Sequence, residues 1–305
     1  MFLRSRGMPA YKSQSAMEYL MTYGWSILIV SVVLGALAYL GVFNPLYFAP
    51  KANPGSCQVF RPNGAGTSYD INLLGTCNNE IPEFVAYFAG NGANSQYSSN
   101  TYITSTVQSI SGANKPFTVT MWIWVPASSY SNMPFFGFQS YQAFEFFRDG
   151  LGTMTYQLFL HRCSSADTGE SSIPIMTMNA WHFVAVSVNP PNYYFQLDGE
   201  SGTASNSNSY GNGAEVVIGT QTAQCDGSSF TGYISNVQIY NTSLGQNSIT
   251  ALYQEGIGGA PIDLQNLVAW YPLNGNANDY SGNGNNGVPT NVVYTSSWIS
   301  SYNPP

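Results

Sequence analysis

Hydrophobic and polar positions divide the chain into one unbroken apolar run near its start and a long region of short alternating runs. The 19 residues from Trp25 to Phe43 carry no charge and are mostly aliphatic, and residues 16–25 add an amphipathic lead-in. A helix needs about 20 apolar residues to cross the hydrocarbon core of a membrane. The pattern therefore predicts a helix over 14–44 that is long enough to span a membrane and that stops at Pro45.

Charge placement around this run predicts its orientation. Arg4, Arg6 and Lys12 precede the run, and residues 1–13 contain no acid. The positive-inside rule then puts the N-terminus in the cytoplasm and everything after Asn44 outside the cell. A removable secretory signal has a shorter apolar core that ends in small residues at a cleavage site, which this run does not. We therefore expect the helix to be retained in the cell membrane, with an extracellular C-terminal domain.

The region from Phe84 onward shows short period-2 or fully apolar runs separated by Gly, Asn and Ser, a pattern typical of an antiparallel β-sandwich. The clearest predicted strands are 117–125, 143–148, 154–161, 181–188, 193–197, 216–219 and 233–240. One helix is predicted over 243–256, with a Ser or Thr cap at its start and Gly256 at its end. Residues 45–83, rich in Pro and Gly, are predicted to form a neck before a head domain over 84–305.

Composition limits the classes of function. Only 8% of the residues are charged, and the net charge is −7. Removal of residues 1–13 would leave five basic residues against 15 acidic ones, a charge of −10. This balance argues against a nucleic-acid partner, which calls for a basic patch. Tyr, Asn, Ser, Thr and Gly supply the polar groups instead, which suits an exported protein that contacts sugars.

The four cysteines, Cys57, Cys77, Cys163 and Cys225, lack the C-x-x-C spacing of a zinc site. Because they follow the apolar run and are expected outside the cell, disulfides are the favoured interpretation. Four cysteines allow three connectivities, of which Cys57–Cys77 with Cys163–Cys225 is preferred. Buried free thiols are the alternative.

The residues KSQSAMEYL (12–20) resemble the class III signal peptide of archaeal type IV pilins. The resemblance implies cleavage between Ser13 and Gln14, with Gln14 as the first mature residue, Glu18 as the fifth and the apolar helix retained. It also implies that the helix assembles with copies of itself or with other pilins, and that Glu18 pairs with the new amino terminus of a neighbour. The alternative role for Glu18 is a carboxylate at the headgroup level, favoured by the helix dipole.

A second resemblance lies in the head. FTVTMWIWV (117–125), WHFVAVSV (181–188), YYFQLDGE (193–200), FTGYISNVQIYNTSL (230–244) and ITALYQEG (249–256) occur in the order seen in laminin-G-like, concanavalin-type jelly rolls. The implied fold class is mainly β: an N-terminal pilin-type helix followed by a two-sheet antiparallel jelly-roll sandwich. LVAWYPLNGNANDYSGNGNNGVPTN (267–291) resembles the opening strand of that family. Because too few residues remain for a second domain, residues 267–298 are predicted to complete the sandwich.

The sequence contains no recognisable catalytic constellation, and we expect the protein not to be an enzyme. Glycosidases need two facing carboxylates, and the Glu-x-Asp-x-x-Glu motif of concanavalin-type glucanases does not occur. Glu145 and Asp149 flank a strand and are interpreted as an ion pair with Arg148. His161 and His182 lie in apolar strands and are predicted to be core or edge residues.

Calcium is the one cofactor that the resemblance suggests, although none is expected to be required. Laminin-G-like sandwiches often hold calcium at one rim, and Asn274, Asn276 and Asp279 offer the hard oxygen ligands that calcium prefers. Turn formation is the alternative explanation for this Asn- and Gly-rich stretch.

Ligand contact and glycosylation can also be predicted at named positions. Tyr130, Tyr141 and Tyr210 lie in polar loop sequence and are candidates for stacking on a sugar, with scattered surface tyrosine as the alternative. Asn241-Thr242-Ser243 is an N-glycosylation sequon, with Asn241 as the acceptor. The same stretch alternatively caps the following helix.

Together these features predict an extracellular surface protein, either a pilin-like filament subunit or a tip adhesin, whose head binds glycans or partner proteins. The alternative is a surface lectin that is singly anchored in the membrane and does not polymerise. A glycan hydrolase is a further alternative, for which a carboxylate pair is not evident.

Overall fold

The protein is described by a computed structural model that covers residues 14–39, 81–90, 101–127, 132–138, 142–148, 156–162, 176–205, 211–213, 215–220, 229–299, 302–303 and 305. The chain divides into two compact units, residues 1–50 and 51–305.

The first unit contains helix α1 (Gln14–Tyr39), 26 residues long, inside the predicted range of 14–44. Its large apolar side chains are exposed: Met21 by 67%, Trp25 by 66% and Ile27 by 67%. In the part of the chain that the structure describes, no helix is both long and apolar enough to count as a membrane crossing. The predicted crossing is thus not confirmed and stays a prediction.

The second unit is built from strands and one short helix. Its strands, among the described residues, are β1 (Val85–Ala89), β2 (Tyr102–Thr106), β3 (Gly112–Ala113), β4 (Phe117–Trp124), β5 (Asn132–Phe138), β6 (Gln142–Arg148), β7 (Tyr156–Arg162), β8 (Trp181–Asn189), β9 (Asn192–Leu197), β10 (Glu200–Ser205), β11 (Gly211–Asn212), β12 (Glu215–Ile218), β13 (Thr231–Tyr240), β14 (Leu267–Tyr271), β15 (Val288–Thr290) and β16 (Val293–Thr295). The helix, α2, spans Gln246–Gln254.

Two antiparallel sheets form the sandwich. The first has eight strands in the order β10–β9–β8–β4–β13–β1–β16, with β14 also paired to β13, and the second has six in the order β15–β2–β12–β5–β6–β7. Strands β3 and β11 make a separate two-stranded ladder. The mainly β, two-sheet antiparallel fold class predicted from the sequence is therefore confirmed.

The core lies between the inner faces of the two sheets. In β4, Val119, Met121 and Ile123 are buried in this core, and the residues between them face the other side of the sheet, as the period of two in a strand requires. Phe88 and Phe195 from the first sheet meet Phe136 from the second within the same cluster. The apolar alternation that predicted these strands is thus the pattern that fills the core.

A second apolar layer covers part of the outer face of the eight-stranded sheet. Ile249 and Leu252 of α2 are buried there. The ring of Trp122 stacks on Tyr253 at 5.9 Å between centroids and contacts Tyr302 edge-on at 5.4 Å. Helix α2 and the C-terminal residues therefore cover one part of this face, and only the part outside that cover can face solvent.

A row of aromatic side chains crosses the same face. Tyr87, Tyr233, Trp124 and Trp181 are successive register partners on β1, β13, β4 and β8. The ring centroids of Tyr87 and Tyr233 lie 5.3 Å apart, and those of Trp124 and Tyr233 lie 5.2 Å apart. Gly232, next to Tyr233, has a φ of 141°, a backbone conformation that residues other than glycine rarely adopt.

The C-terminal residues enter both sheets. Strand β14 pairs with β13, with Gln238 opposite Trp270. Strand β15 pairs with β2 in the second sheet, and β16 pairs with β1 in the first, where Val85 lies opposite Thr295. The segment after α2 is thus a structural part of the sandwich.

The prediction that a Ser or Thr side chain caps the start of helix α2 is wrong. Helix α2 begins with Gly245 as its N-cap, and no side chain makes the capping hydrogen bond. The hydroxyl of Ser243 instead contacts Ser187 at 2.8 Å. Gly256, with φ of 82°, follows the helix as predicted.

Candidate functional site

An open groove of about 540 Å³ lies on the outer face of the eight-stranded sheet, beside the part covered by α2. Strands β8, β9 and β10 form its floor. The residues that line it are Ser187, Asn189, Asn192, Tyr193, Tyr194, Thr203, Ala204, Ser205 and Ser243. Six of these nine residues are Ser, Thr or Asn, and the two tyrosines and Ala204 supply apolar surface beside them.

Strand register explains why six of these residues share one face, whereas Tyr193 and Ala204 occupy alternate positions that face the core. Ser187 lies opposite Tyr194, and Tyr194 lies opposite Thr203, which makes one row across three strands. Two residues along each strand, Asn189, Asn192 and Ser205 make a parallel second row. The alternate residues of β8 and β9 fill the core. The polar residues are thus directed outward by the same period of two that buries their neighbours.

The wall of the groove is the segment that leads into α2, and hydrogen bonds hold it on the sheet. Ser187 Oγ donates to the carbonyl of Leu244 at 2.9 Å and lies 2.8 Å from Ser243 Oγ. Thr118 Oγ1 donates to the carbonyl of Thr242 at 2.8 Å and accepts from the backbone N–H of Leu244 at 2.9 Å. The wall is therefore held in place from two strands.

Tyr194 supplies the aromatic surface of the groove. Its ring is half-buried, and its hydroxyl donates to Gln196 Oε1 at 3.2 Å, on the same face of β9. Gln196 Nε2 in turn donates to the carbonyl of Asp198 at 2.6 Å. These bonds orient the phenol along the strand before any ligand arrives.

The groove carries no formal charge. None of its nine described lining residues is Asp, Glu, Lys, Arg or His. It offers an aromatic ring with neutral donors and acceptors around it, which is the arrangement that small polar ligands use for orientation and specificity.

A second polar cluster lies at the β9–β10 hairpin. His182 Nδ1 lies 2.6 Å from Asp198 Oδ2, while His182 Nε2 lies 2.8 Å from the carbonyl oxygen and 3.0 Å from Oγ1 of Thr177. The spacing resembles a nucleophile–base–acid triad, but His182 Nε2 also lies within hydrogen-bond distance of a carbonyl oxygen, which only accepts. These contacts tie the start of β8 to the turn between β9 and β10 and act as a structural brace.

The predicted calcium ligands use their side-chain oxygens within the protein. Asn274 Oδ1 accepts from Phe84 N–H at 2.8 Å, and Asn276 Oδ1 accepts from Asn278 N–H at 2.9 Å. Asp279 accepts three backbone N–H groups: those of Trp270 at 2.9 Å and Ser281 at 2.8 Å on Oδ1, and that of Asn285 at 2.9 Å on Oδ2. The three side chains thus bind separate partners.

No group of three or more His, Cys, Asp or Glu side chains suited to a metal occurs among the described residues. The calcium site stays a prediction, and the hydrogen bonds of Asp279 give that residue a structural role of its own.

The predicted glycosylation site lies close to the groove in the chain. Asn241 is exposed, and its backbone N–H donates to the carbonyl of Asn266 at 3.0 Å. The third residue of the sequon is Ser243, which lines the groove.

The remaining predicted site residues lie in α1 or outside the described residues. Gln14 begins α1 and Glu18 lies within it. Outside the described residues lie Ser13, the tyrosines Tyr130, Tyr141 and Tyr210, and the cysteines Cys57, Cys77, Cys163 and Cys225.

The sandwich and its open outer face define a jelly-roll module of the lectin-like kind. The model of the concanavalin A-like lectin/glucanases superfamily, of the third laminin G type, matches residues 97–250, and the chain belongs to this family. A comparison with curated proteins gave no match.

The chain is also similar to solved structures at low sequence identity. One is a candidate carbohydrate-binding protein from Bacteroides ovatus, 15% identical, with a TM-score of 0.51 over 70% of this chain and 60% of that one. Another is a native heptameric SAP-like pentraxin from Limulus polyphemus, 15% identical, with a TM-score of 0.49 over 70% of this chain and 94% of that one. The chain thus spans 60% of the length of the Bacteroides protein, which is less than two thirds.

Proposed function

We propose that the head binds glycans in the groove formed by β8, β9 and β10, and that the protein is an extracellular adhesive surface protein. One observation carries this proposal: two rows of neutral hydroxyl and amide side chains surround the half-buried ring of Tyr194 on an open sheet face.

The chemistry of the groove suits a sugar. A sugar ring presents hydroxyl groups at its rim, which need donors and acceptors, and C–H groups on its faces, which pack on an aromatic ring. Asn192 and Thr203 are exposed and supply the polar partners, and Tyr194 supplies the ring. Because the wall at Ser243 is already hydrogen-bonded to the sheet, little ordering is needed on binding.

The same residues favour binding over hydrolysis. Glycoside hydrolysis in most families needs a pair of Asp or Glu side chains on either side of the scissile bond. The groove's nine described lining residues include neither type. We therefore propose a binding protein that is not an enzyme and that requires no cofactor.

Glycan-array binding by the full-length chain, in mild detergent, tests the proposal. The Tyr194→Ala variant is expected to lose at least about tenfold in affinity, since a packed aromatic contact and its buried area are worth upwards of 1.4 kcal/mol. Tyr102→Ala is the matched control, because Tyr102 is a half-buried tyrosine on the other sheet. Equal affinity of the two variants would contradict the assignment of the groove.

The second part of the proposal concerns α1. Its exposed apolar side chains favour a partner that covers them, and the resemblance of residues 12–20 to pilin leaders suggests copies of this helix or other pilins. We propose a filament subunit or tip adhesin. Electron microscopy of shed surface filaments, with N-terminal sequencing, is expected to find subunits that begin at Gln14. Recovery of the protein only in membranes as a monomer would support the singly anchored surface lectin instead.

A further inference from the structure

We propose that the groove selects uncharged glycans and excludes glycans that carry sulfate or carboxylate groups. This inference rests on the proposed glycan-binding function and narrows its ligand class.

The first argument is the absence of a cation among the groove's described lining residues. Binding of a sulfate or carboxylate is strong when Arg or Lys makes charge-assisted, often bidentate, hydrogen bonds to it. The lining residues offer hydroxyl, amide and aromatic groups and the methyl group of Ala204. An anionic group placed there would lose part of its hydration without gaining a counter-charge.

The second argument is the sequence that builds the region. No Lys or Arg occurs after Arg162 in the whole sequence, so β8, β9, β10 and the wall before α2 contain none. The only histidine in that stretch is His182. Its ring is buried and already held by Asp198 and Thr177, so it cannot serve an anionic ligand in the groove.

The third argument is the sign of the charges nearby. Glu200 begins β10 and is exposed, and Asp198 in the turn before it is bound to His182. The exposed Lys115 lies two residues before Phe117, which is opposite Val188 of β8, so one cation lies close in register to the Asn189 end of the groove. The whole chain carries a net charge of −7. Long-range electrostatic repulsion therefore opposes the approach of an acidic glycan, and more so at low ionic strength.

Matched pairs of immobilised oligosaccharides test the inference with the full-length chain. The probes are neutral glucose-, galactose- and mannose-terminated oligosaccharides, each paired with a sulfated and a uronic-acid- or sialic-acid-capped form. In every pair that binds, the neutral form is expected to bind at least about tenfold more tightly, the effect of one uncompensated charge. Equal or tighter binding of the acidic forms would overturn the inference and leave the glycan-binding function standing. No binding of any probe would overturn both.

A gain-of-charge variant tests the mechanism directly. Ser205→Lys places a cation on the exposed edge strand of the groove and is expected to raise affinity for the sulfated probes several-fold, with little change for the neutral ones. Ser296→Lys adds the same charge next to β16, at the opposite edge of the eight-stranded sheet, and is the matched control. An equal gain in both variants would indicate bulk charge steering and would contradict selection by the groove.

Discussion

His182 Nδ1 lies 2.6 Å from Asp198 Oδ2, and this pair joins the start of β8 to the turn between β9 and β10. Asp198 Oδ1 also accepts the backbone N–H of Phe183 at 2.8 Å. The carboxylate thus holds both the imidazole and the strand that carries it. Since β9 and β10 form the groove floor, this pair fixes the floor to the centre of the sheet.

Removal of the Asp198 charge is expected to destabilise the head. Asp198→Asn keeps an acceptor for Phe183 and tolerates the φ of 52° at this position, so it isolates the loss of charge. We expect a loss of about 1–3 kcal/mol, the range for a hydrogen bond to a charged group that is partly buried. Denaturant unfolding measures it. Glu200→Gln, which changes an exposed acid in the same hairpin, is expected to stay within about 0.5 kcal/mol, and equal losses in both variants would refute the brace.

Glu255 at the end of α2 is expected to make stability depend on pH. Burial raises the pKa of Glu255 from its ordinary value of 4.5 to about 7. Between these two pH values the folded state binds a proton that the unfolded chain has lost, so stability is highest below the lower value and falls as pH rises through the window. The slope is at most about 1.4 kcal/mol per pH unit, and it is reduced because the side chain is partly exposed.

Glu255→Gln removes the titrating group and is expected to flatten this part of the profile. The measurement is the difference in unfolding free energy between wild type and variant at about pH 5 and about pH 8. A difference that stays constant between the two pH values would contradict the assignment to Glu255.

Asp279 is expected to stabilise the Asn- and Gly-rich segment without a metal. Asp279→Asn loses acceptor capacity for the three backbone N–H groups that the carboxylate binds, and we expect a cost of about 1–3 kcal/mol. Asn278→Ala, at an exposed neighbouring position, is expected to cost less than about 0.5 kcal/mol.

The test is completed by adding calcium and, separately, a chelator, and by measuring the midpoint temperature of thermal unfolding in each case. Because the oxygens of Asp279 already accept hydrogen bonds, we expect neither treatment to shift the wild-type midpoint. A rise with calcium that Asp279→Asn abolishes would instead establish the metal site predicted from the sequence.

Gly232→Ala is expected to be the most damaging of these substitutions. A Cβ at Gly232 would overlap the backbone carbonyl oxygen of Trp124 on the neighbouring strand, and the φ of 141° adds strain. We expect a loss of about 2–4 kcal/mol or failure to fold. Gly199→Ala, which meets no atom within 4 Å, is the control, and a folded Gly232→Ala variant of similar stability would contradict the close strand approach.

The sandwich was predictable because its signal is local. Alternation in 117–125 and 181–188 marks β4 and β8 to within a residue or two, since a strand buried on one face must repeat every second residue. Strands β2 and β10 were not predicted, because Thr, Ser and Gly dominate them and give little apolar alternation.

The groove was not predictable in the same way. Ser187, Tyr194 and Thr203 lie on three strands and meet only through the register of the sheet. In the sequence, each of these three residues looks like an ordinary polar residue on the solvent side of a strand. The sequence alone does not give the register of the strands, so the predicted ligand contacts were loop tyrosines instead. The one available signal was the set of outward polar positions on the two predicted strands 181–188 and 193–197.

Strands β15 and β16 close the two sheets from the last part of the chain, where Val85 meets Thr295 and Thr104 meets Val288. These pairings have very long sequence separation, which slows folding. While the polypeptide is still emerging from the ribosome, β1 and β2 lack these neighbours. Their unpaired backbone N–H and C=O groups can then pair with strands of other nascent chains. Prematurely terminated products are consequently expected to aggregate or to be degraded, because only the full-length chain can complete both sheets.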